Sequence, residues 1–188
     1  MKDKILQTVN KHKILVDNFI ADGIDVSVKI AALITESINN NGCVYICGNG
    51  GSAADAQHIA GELVGRFLRE RRPLPAVAFG CDSSVMTSIA NDYDFNSVFA
   101  KSVEALAKSG DILWAISTSG TSKNIIAAVE KAKDMNVKIV GFAGRKGSKL
   151  ESLSDICLCV DGENSYQIQQ IHQIAYHIIC DLIEQAFC

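Results

Sequence analysis

Proline and tryptophan are scarce, with two and one in 188 residues, and no stretch is rich enough in proline, glycine or serine to read as a disordered linker. Charge of one sign is lacking as well. Eighteen Lys and Arg stand against twenty-one Asp and Glu, a formal net charge of −3, so broad binding to nucleic acid or to an anionic membrane is not expected. No apolar run reaches the ~18 residues of a membrane span. Met1 to Val9 carries charge and no long apolar stretch, so no secretory leader is expected and the cytoplasm is the expected compartment. The seven cysteines form no CxxC turn of the kind that holds a metal. Cys43, Cys47, Cys157 and Cys159 lie in strand-like apolar runs and are expected to be small buried hydrophobes in a reducing environment.

What is present is a globular composition, 48% apolar and 21% charged, long enough for one domain with its own core. Ile5, Val9, His12, Val16 and Phe19 recur at helical steps until Gly23, and Val28, Ala31, Ala32, Thr35 and Ile38 repeat the signal until Asn39-Asn40-Asn41-Gly42. Two helices are predicted there, packing on each other or on a partner subunit. From Cys43 onward, short apolar runs alternate with helical patterns. Strands are predicted at Cys43–Cys47, Ala76–Phe79, Ile112–Ser117, Lys138–Ala143 and Ile156–Val160. Helices are predicted near Ser52–Phe67, Ser83–Ala90, Asn96–Lys108, Ser122–Met135, Lys146–Leu153 and Ser165–Phe187. Such alternation defines an α/β domain with a parallel sheet covered on both faces. Residues 1–41 form a helical N-terminal extension of it. Arg66 to Arg72 holds four arginines and one glutamate; it reads either as a solvated helix end or as a subunit or anion contact.

Two loops carry chemistry. Strand Cys43–Cys47 runs into Gly48-Asn49-Gly50-Gly51-Ser52, a glycine-rich strand-to-helix turn whose backbone N–H groups can approach an anion. It has no P-loop lysine. Its loose dinucleotide pattern, Gly48-x-Gly50-x-x-Ala53, would place the ribose-binding acid at Glu70, ahead of the next strand rather than at its end, which counts against a nicotinamide cofactor. The second loop, Ser117-Thr118-Ser119-Gly120-Thr121-Ser122, offers hydroxyls and free amides at a helix start. This second loop alone could be a plain helix N-cap at Ser119 or Ser122. Two such loops at the ends of parallel strands favour a phosphorylated ligand.

Acid–base and metal-ligating groups follow. His58 and Glu62 are one helical turn apart on the helix after the first loop, in Asp55-Ala56-Gln57-His58 and Glu62-Leu63, and can converge on one ion or be an ordinary surface pair. The last helix carries Gln169, His172, Gln173 and His177 among isoleucines, a polar run expected to face a site. Gln169 and His177 are separated by roughly 12 Å along that helix, so ligands drawn from neighbouring subunits would ease a shared site.

Taken in order, Gly48-Asn49-Gly50-Gly51-Ser52, Asp55-Ala56-Gln57-His58 with Glu62, Asn91-Asp92, Ser117-Thr118-Ser119-Gly120-x-Ser122, and Ile168-Gln169 with His177 resemble the phosphoheptose isomerases of the sugar-isomerase (SIS) domain superfamily, over essentially the whole chain. The resemblance implies a flavodoxin-like five-stranded parallel sheet and a homotetramer with active sites at subunit interfaces. It implies one zinc ion per subunit at His58, Glu62, Gln169 and His177. Substrate contacts would fall on Asn49, Gly50, Gly51, Ser52, Glu62, Asn91, Asp92, Ser117, Thr118, Ser119, Ser122 and Gln169. Gln167, Gln170 and Thr121 depart from what many relatives carry, which bears on substrate preference rather than on reaction class. The implied substrate is a phosphorylated heptose, on the route to nucleotide-activated heptose for lipopolysaccharide core or capsule. Interconverting ketose and aldose needs a base, for which Glu62 is suited, and a second proton carrier, for which His177 is suited. Two rival readings remain at this level: a non-catalytic SIS adaptor that binds a protein such as the replication initiator, and an isomerase of another phosphosugar. Neither nucleic acid nor membrane is an expected partner.

Overall fold

The computed structural model describes residues 1–188. Its elements are α1 (Lys2–Asp22), α2 (Ile24–Asn39), β1 (Val44–Gly48), α3 (Gly51–Val64), β2 (Ala76–Ala78), α4 (Ser83–Asp92), α5 (Val98–Leu106), β3 (Ile112–Ser117), α6 (Lys123–Asp134), β4 (Lys138–Ala143), α7 (Lys149–Leu153), β5 (Ile156–Cys159) and α8 (Ser165–Gln185). All five predicted strands are present, and all pair in parallel in the order β2-β1-β3-β4-β5. The fold is therefore the predicted α/β, flavodoxin-like one. Strand order reverses between β1 and β3, the position where open α/β sheets bind ligands.

Alternation along the strands builds two cores. Val44, Ile46, Ile112, Trp114, Ile116, Val140 and Phe142 face α2, α3 and α8. Tyr45, Cys47, Leu113, Ala115, Ile139 and Ala143 face α5, α6 and α7. Both faces of β1 and β3 are thus buried, which is why those strands read as unbroken apolar runs. Of the four strand cysteines, only Cys47 is fully enclosed; Cys43, Cys157 and Cys159 are partly exposed.

Several predicted ends move. The predicted helix from Asn96 splits into a 3-10 turn at Phe95–Ser97 and α5, because the Asp94 side chain accepts from the Ser97 N–H and caps the turn. In α1 the buried residues are Leu15 and Phe19, while Ile5 and Val9 of the predicted stripe are exposed. Helix α4 has no fully buried residue, and Met86, Ile89 and Ala90 pack partly buried against the second core. Gln167 is used by α8 itself: it completes a capping box with Asn164, its Oε1 accepting from the Asn164 N–H at 3.1 Å.

Helix α3 stops at Val64, three residues short of the predicted Phe67, and the arginine-rich segment turns inward. Glu184 of α8, fully buried, accepts from the N–H groups of Phe67, Leu68 and Arg69 at 2.8, 2.7 and 2.8 Å. Arg71 lies 3.6 Å from the same carboxylate and donates to the carbonyls of Glu62 and Gly65 at 2.6 and 2.7 Å. Burial would raise the Glu184 carboxyl, but the three amides and Arg71 hold it below the usual carboxylate range. Of this arginine cluster, Arg66, Arg69 and Arg72 are exposed, as the solvated reading expects, and Arg71 alone is drawn in. Arg71 locks the end of α3 to α8.

Removing one partner of a buried pair strands the other. Glu184→Ala should lower stability by about 3–5 kcal/mol, whereas Asp181→Ala, which frees the exposed Arg69, should change it by under about 1 kcal/mol; denaturant titration of both variants separates the two. A pH dependence follows from His172, fully enclosed on α8 with its Nε2 3.0 Å from the Ala143 carbonyl. Burial lowers its pKa from 6.5 to about 4, the carbonyl contact opposing weakly. Between those values the unfolded chain binds the proton that the folded chain refuses. Stability should hold above pH 6.5 and fall by roughly 3 kcal/mol as pH drops toward 4. Compared by urea unfolding, His172→Gln should lack that component.

Candidate functional site

The two loops meet at the reversal point. Gly50 heads α3 with φ +56°, a conformation open to glycine and strained for other residues. Gly51 lies so close to Gln169 that an added Cβ would come within 2.6 Å of the Gln169 amide. Neither α3 nor α6 has a side-chain cap, so both helices point first-turn N–H groups and positive dipole ends toward the same side of the sheet. Across the gap, Asn49 and Asn124 exchange amide hydrogen bonds of 2.9 and 2.8 Å. Ser117 Oγ lies 3.1 Å from Ser122 Oγ and 3.3 Å from Ser119 Oγ. Thr118 Oγ1 donates to Ser165 Oγ at 3.0 Å, tying the second loop to the first turn of α8. The hydroxyl and amide cluster is a cradle suited to a phosphate without a cationic side chain.

Helix α8 runs alongside α3 in the same direction, since early residues contact early residues and later ones contact later ones. At one end, Gln169 Nε2 donates to Ser52 Oγ at 3.3 Å. Two turns along, His58, Glu62 and His177 present ligand atoms all within 4.8 Å of one another. His58 Nε2 is 2.9 Å from Glu62 Oε1 and 3.5 Å from His177 Nε2. Phe67, delivered by the Glu184 lock, stacks on His177 with centroids 5.6 Å apart and planes at 7°. Burial, and then the neighbouring His58, lowers the His177 pKa, so that imidazole is neutral near pH 7 and offers a lone pair.

Behind the cluster, Tyr176 Oη lies 3.0 Å from His58 Nδ1 and 3.5 Å from Asp55 Oδ1. Burial pushes the Tyr176 phenol up to about 12, which keeps it protonated. Burial likewise raises the Asp55 carboxyl, against the pull of the Tyr176 hydrogen bond and of His58. Two imidazoles and a carboxylate converging on one point are a nitrogen and oxygen donor set that fits zinc. The residues present can hold a metal ion.

Three of the four predicted ligands are thus together, and Gln169 is bonded elsewhere in the same chain. His172, from the same polar run, serves the core, and Gln173 is exposed. Asn91 and Asp92, at the end of α4, are exposed, their side chains 2.9 Å apart. Sequence reading missed Asn124, Tyr176, Phe67 and Glu184. Asn124 alone left a trace, a polar residue ahead of the apolar pair Ile125-Ile126.

A glycine loop and a serine loop at the reversal point of a parallel sheet, with a carboxylate and imidazole cluster beside them, define a SIS-domain protein built for phosphorylated sugars. The SIS domain family model matches residues 10–144. A phosphoheptose isomerase of Thermodesulfovibrio yellowstonii is 45% identical over 184 residues, 98% of this chain and 92% of that protein. One of Helicobacter pylori is 50% identical over 155 residues, 82% and 81% of the two chains. The solved phosphoheptose isomerase of Neisseria gonorrhoeae superposes with a TM-score of 0.92 at 35% identity, over 98% of each chain. The chain belongs to the phosphoheptose isomerase family.

The paired amides generate one prediction. Asn124→Ala unhooks the loops from each other and leaves Asn49 without its partner, so KM for a sugar phosphate should rise about tenfold, the loss of roughly one neutral positioning hydrogen bond, with kcat falling less. Steady-state kinetics reads both.

Proposed function

We propose that this chain interconverts sedoheptulose 7-phosphate and the aldose D-glycero-D-manno-heptose 7-phosphate through an enediol. The observation that carries the reading is the meeting of Glu62 and His177 around one point. They stand on two helices whose first turns touch the two phosphate-type loops. Family membership supplies the reaction class, and the loops supply a hold on the phosphate remote from the reacting carbons.

Asn49, Gly50, Gly51, Ser52, Ser117, Thr118, Ser119 and Ser122 bind the phosphate and sugar oxygens, and the energy of that grip fixes the reacting end. Glu62, with 18% of its side chain exposed, removes the proton from C1 of the ketose and returns it at C2. His177 carries protons between the two oxygens as the double bond moves. Zinc, held by His58, Glu62, His177 and a Gln169 brought in by a neighbouring subunit, would polarise the carbonyl when bound. With the cation bound, Glu62 and His177 would each serve as ligand and as proton carrier at different moments, because a carboxylate or an imidazole nitrogen fully engaged with a cation is a weak base.

The same reading places the chain in a homotetramer. Gln169 sits two turns from the cluster within one subunit, α4 buries no residue, and Ile5, Val9, Ile24, Val28, Ile174 and Ile178 are exposed. Asn91 and Asp92 would complete a neighbour's site, and residues 1–41 would pack between subunits of single-domain chains. No helix is long and apolar enough to cross a membrane, and a cytoplasmic role in nucleotide-activated heptose synthesis for lipopolysaccharide core or capsule accords with that.

Proton NMR of the protein with sedoheptulose 7-phosphate in D₂O, with and without zinc, tests the proposal. New aldose signals carrying deuterium at C2 are expected, and Glu62→Gln should abolish them while leaving substrate binding within about threefold. No conversion by the folded oligomer would overturn the reading in favour of another phosphosugar or of an adaptor; conversion by Glu62→Gln would remove Glu62 as the base.

A further inference from the structure

The metal-site reading of His58, Glu62 and His177 leaves two neighbouring polar groups without a task. Asp55 is nine-tenths buried, its Oδ2 has no hydrogen-bond partner, and its Oδ1 has Tyr176 Oη at 3.5 Å. Tyr176 is fully buried, and its hydroxyl stands between that carboxylate and His58 Nδ1, at 3.0 Å from the latter. All three groups lie on the facing sides of α3 and α8.

Counting protons decides how this chain is wired. A phenol has one proton to give, and an ionised carboxylate can only accept. A buried carboxylate with no donor at all is costly, and Tyr176 is the hydroxyl placed to relieve it. If that proton goes to Asp55, the phenol oxygen can only accept from His58, so the imidazole proton must sit on Nδ1. His58 Nε2 is then left with its lone pair, and it is Nε2 that faces Glu62 and His177. The opposite wiring, with the phenol donating to Nδ1 and Nε2–H donating to Glu62, satisfies those two but strands Asp55. A cation among the three ligand atoms removes that competition, because it takes the Nε2 lone pair and leaves only the first wiring open.

We propose that Asp55 and Tyr176 are positioning residues for the metal ligand His58, a carboxylate–phenol–imidazole relay that holds the imidazole in its Nδ1–H form and turns Nε2 toward the cation. The relay does not touch substrate. It acts through His58, by fixing the ring against rotation and by strengthening Nε2 as a donor, the part that outer hydrogen-bond partners of metal-bound histidines play. It also accounts for a charged residue three positions before His58, one turn away and on the same helix face, where a plain core helix would carry an apolar one.

The test uses Tyr176→Phe, which keeps the ring and its packing, and Asp55→Asn, which keeps the shape and an acceptor but removes the charge. Zinc affinity is measured by competition with a chromophoric chelator on the oligomer stripped of metal. Tyr176→Phe should bind zinc about 10–100-fold more weakly, and Asp55→Asn should fall between it and the parent. In the zinc-loaded parent, ¹⁵N-edited NMR should show a slowly exchanging His58 Nδ1–H signal that is lost in Tyr176→Phe. The metal-free melting temperatures of parent and Tyr176→Phe should agree far more closely than their zinc-loaded ones, a difference that a purely structural tyrosine would not produce. A parent that binds no zinc overturns the metal-site reading itself. A parent that binds zinc, beside a Tyr176→Phe with equal affinity and an unchanged Nδ1–H signal, leaves the metal site standing and overturns the relay.

Discussion

The packing of α8 along α3 is the constraint on which the rest of this molecule depends. The two helices run side by side in the same direction, and their contacts form a ladder. Gln169 meets Ser52 at the loop end, Tyr176 bridges Asp55 and His58 in the middle, and His177 faces His58 and Glu62 beyond. Glu184 ends the ladder by capturing the chain that leaves α3. Sliding α8 by one turn, about 5.4 Å, would break every rung at once. The apolar partners that hold the register, Ile168, Ile171, Ala175, Ile179 and Ile183 against Ala56, Ile59 and Leu63, are therefore as much a part of the site as the ligands.

The sheet contributes the other coordinate. Because β1 and β3 are neighbours and the chain leaves them in opposite senses along the sheet, the glycine loop and the serine loop open toward each other. The Asn49–Asn124 pair then spans them. A phosphate bound there, as proposed, would lie near helix N-termini rather than cationic side chains. Such a mode of binding would leave Glu62 free of a competing lysine or arginine head group. The guanidinium nearest to it, Arg71, is spent on the Glu62 and Gly65 carbonyls and on Glu184.

Chemistry and stability share residues here. Phe67 stacks on His177 only because Glu184 holds its N–H, and the Glu184 carboxylate is tolerable in the interior only because three amides and Arg71 surround it. Breaking this lock would be felt twice, in folding and in the set of the imidazole. Surface elements show the reverse pattern. The outward side of α1 leaves Ile5, Val9 and Ile20 exposed, Val85 of α4 is exposed as well, and Asn91-Asp92 stand at the exposed end of α4.

The amino-acid sequence by itself determined the five strands and their order in the chain, both loops, and the turn spacing that puts His58 and Glu62 on one face. Each of these is a local pattern, readable from short-range periodicity and turn chemistry. Its errors came where distant segments compete for the same backbone. Helix α3 ends early because Glu184, 117 residues after Phe67, takes the N–H groups a longer helix would use. Periodicity groups His172 with the site because it shows that a helix has faces but not which neighbour each face meets. Tertiary structure alone decided that Gln169 rests on Ser52 while His177 joins His58, and that Tyr176 stands behind the cluster. Helix register against a partner is set by packing across the sheet, and no spacing within the chain encodes it.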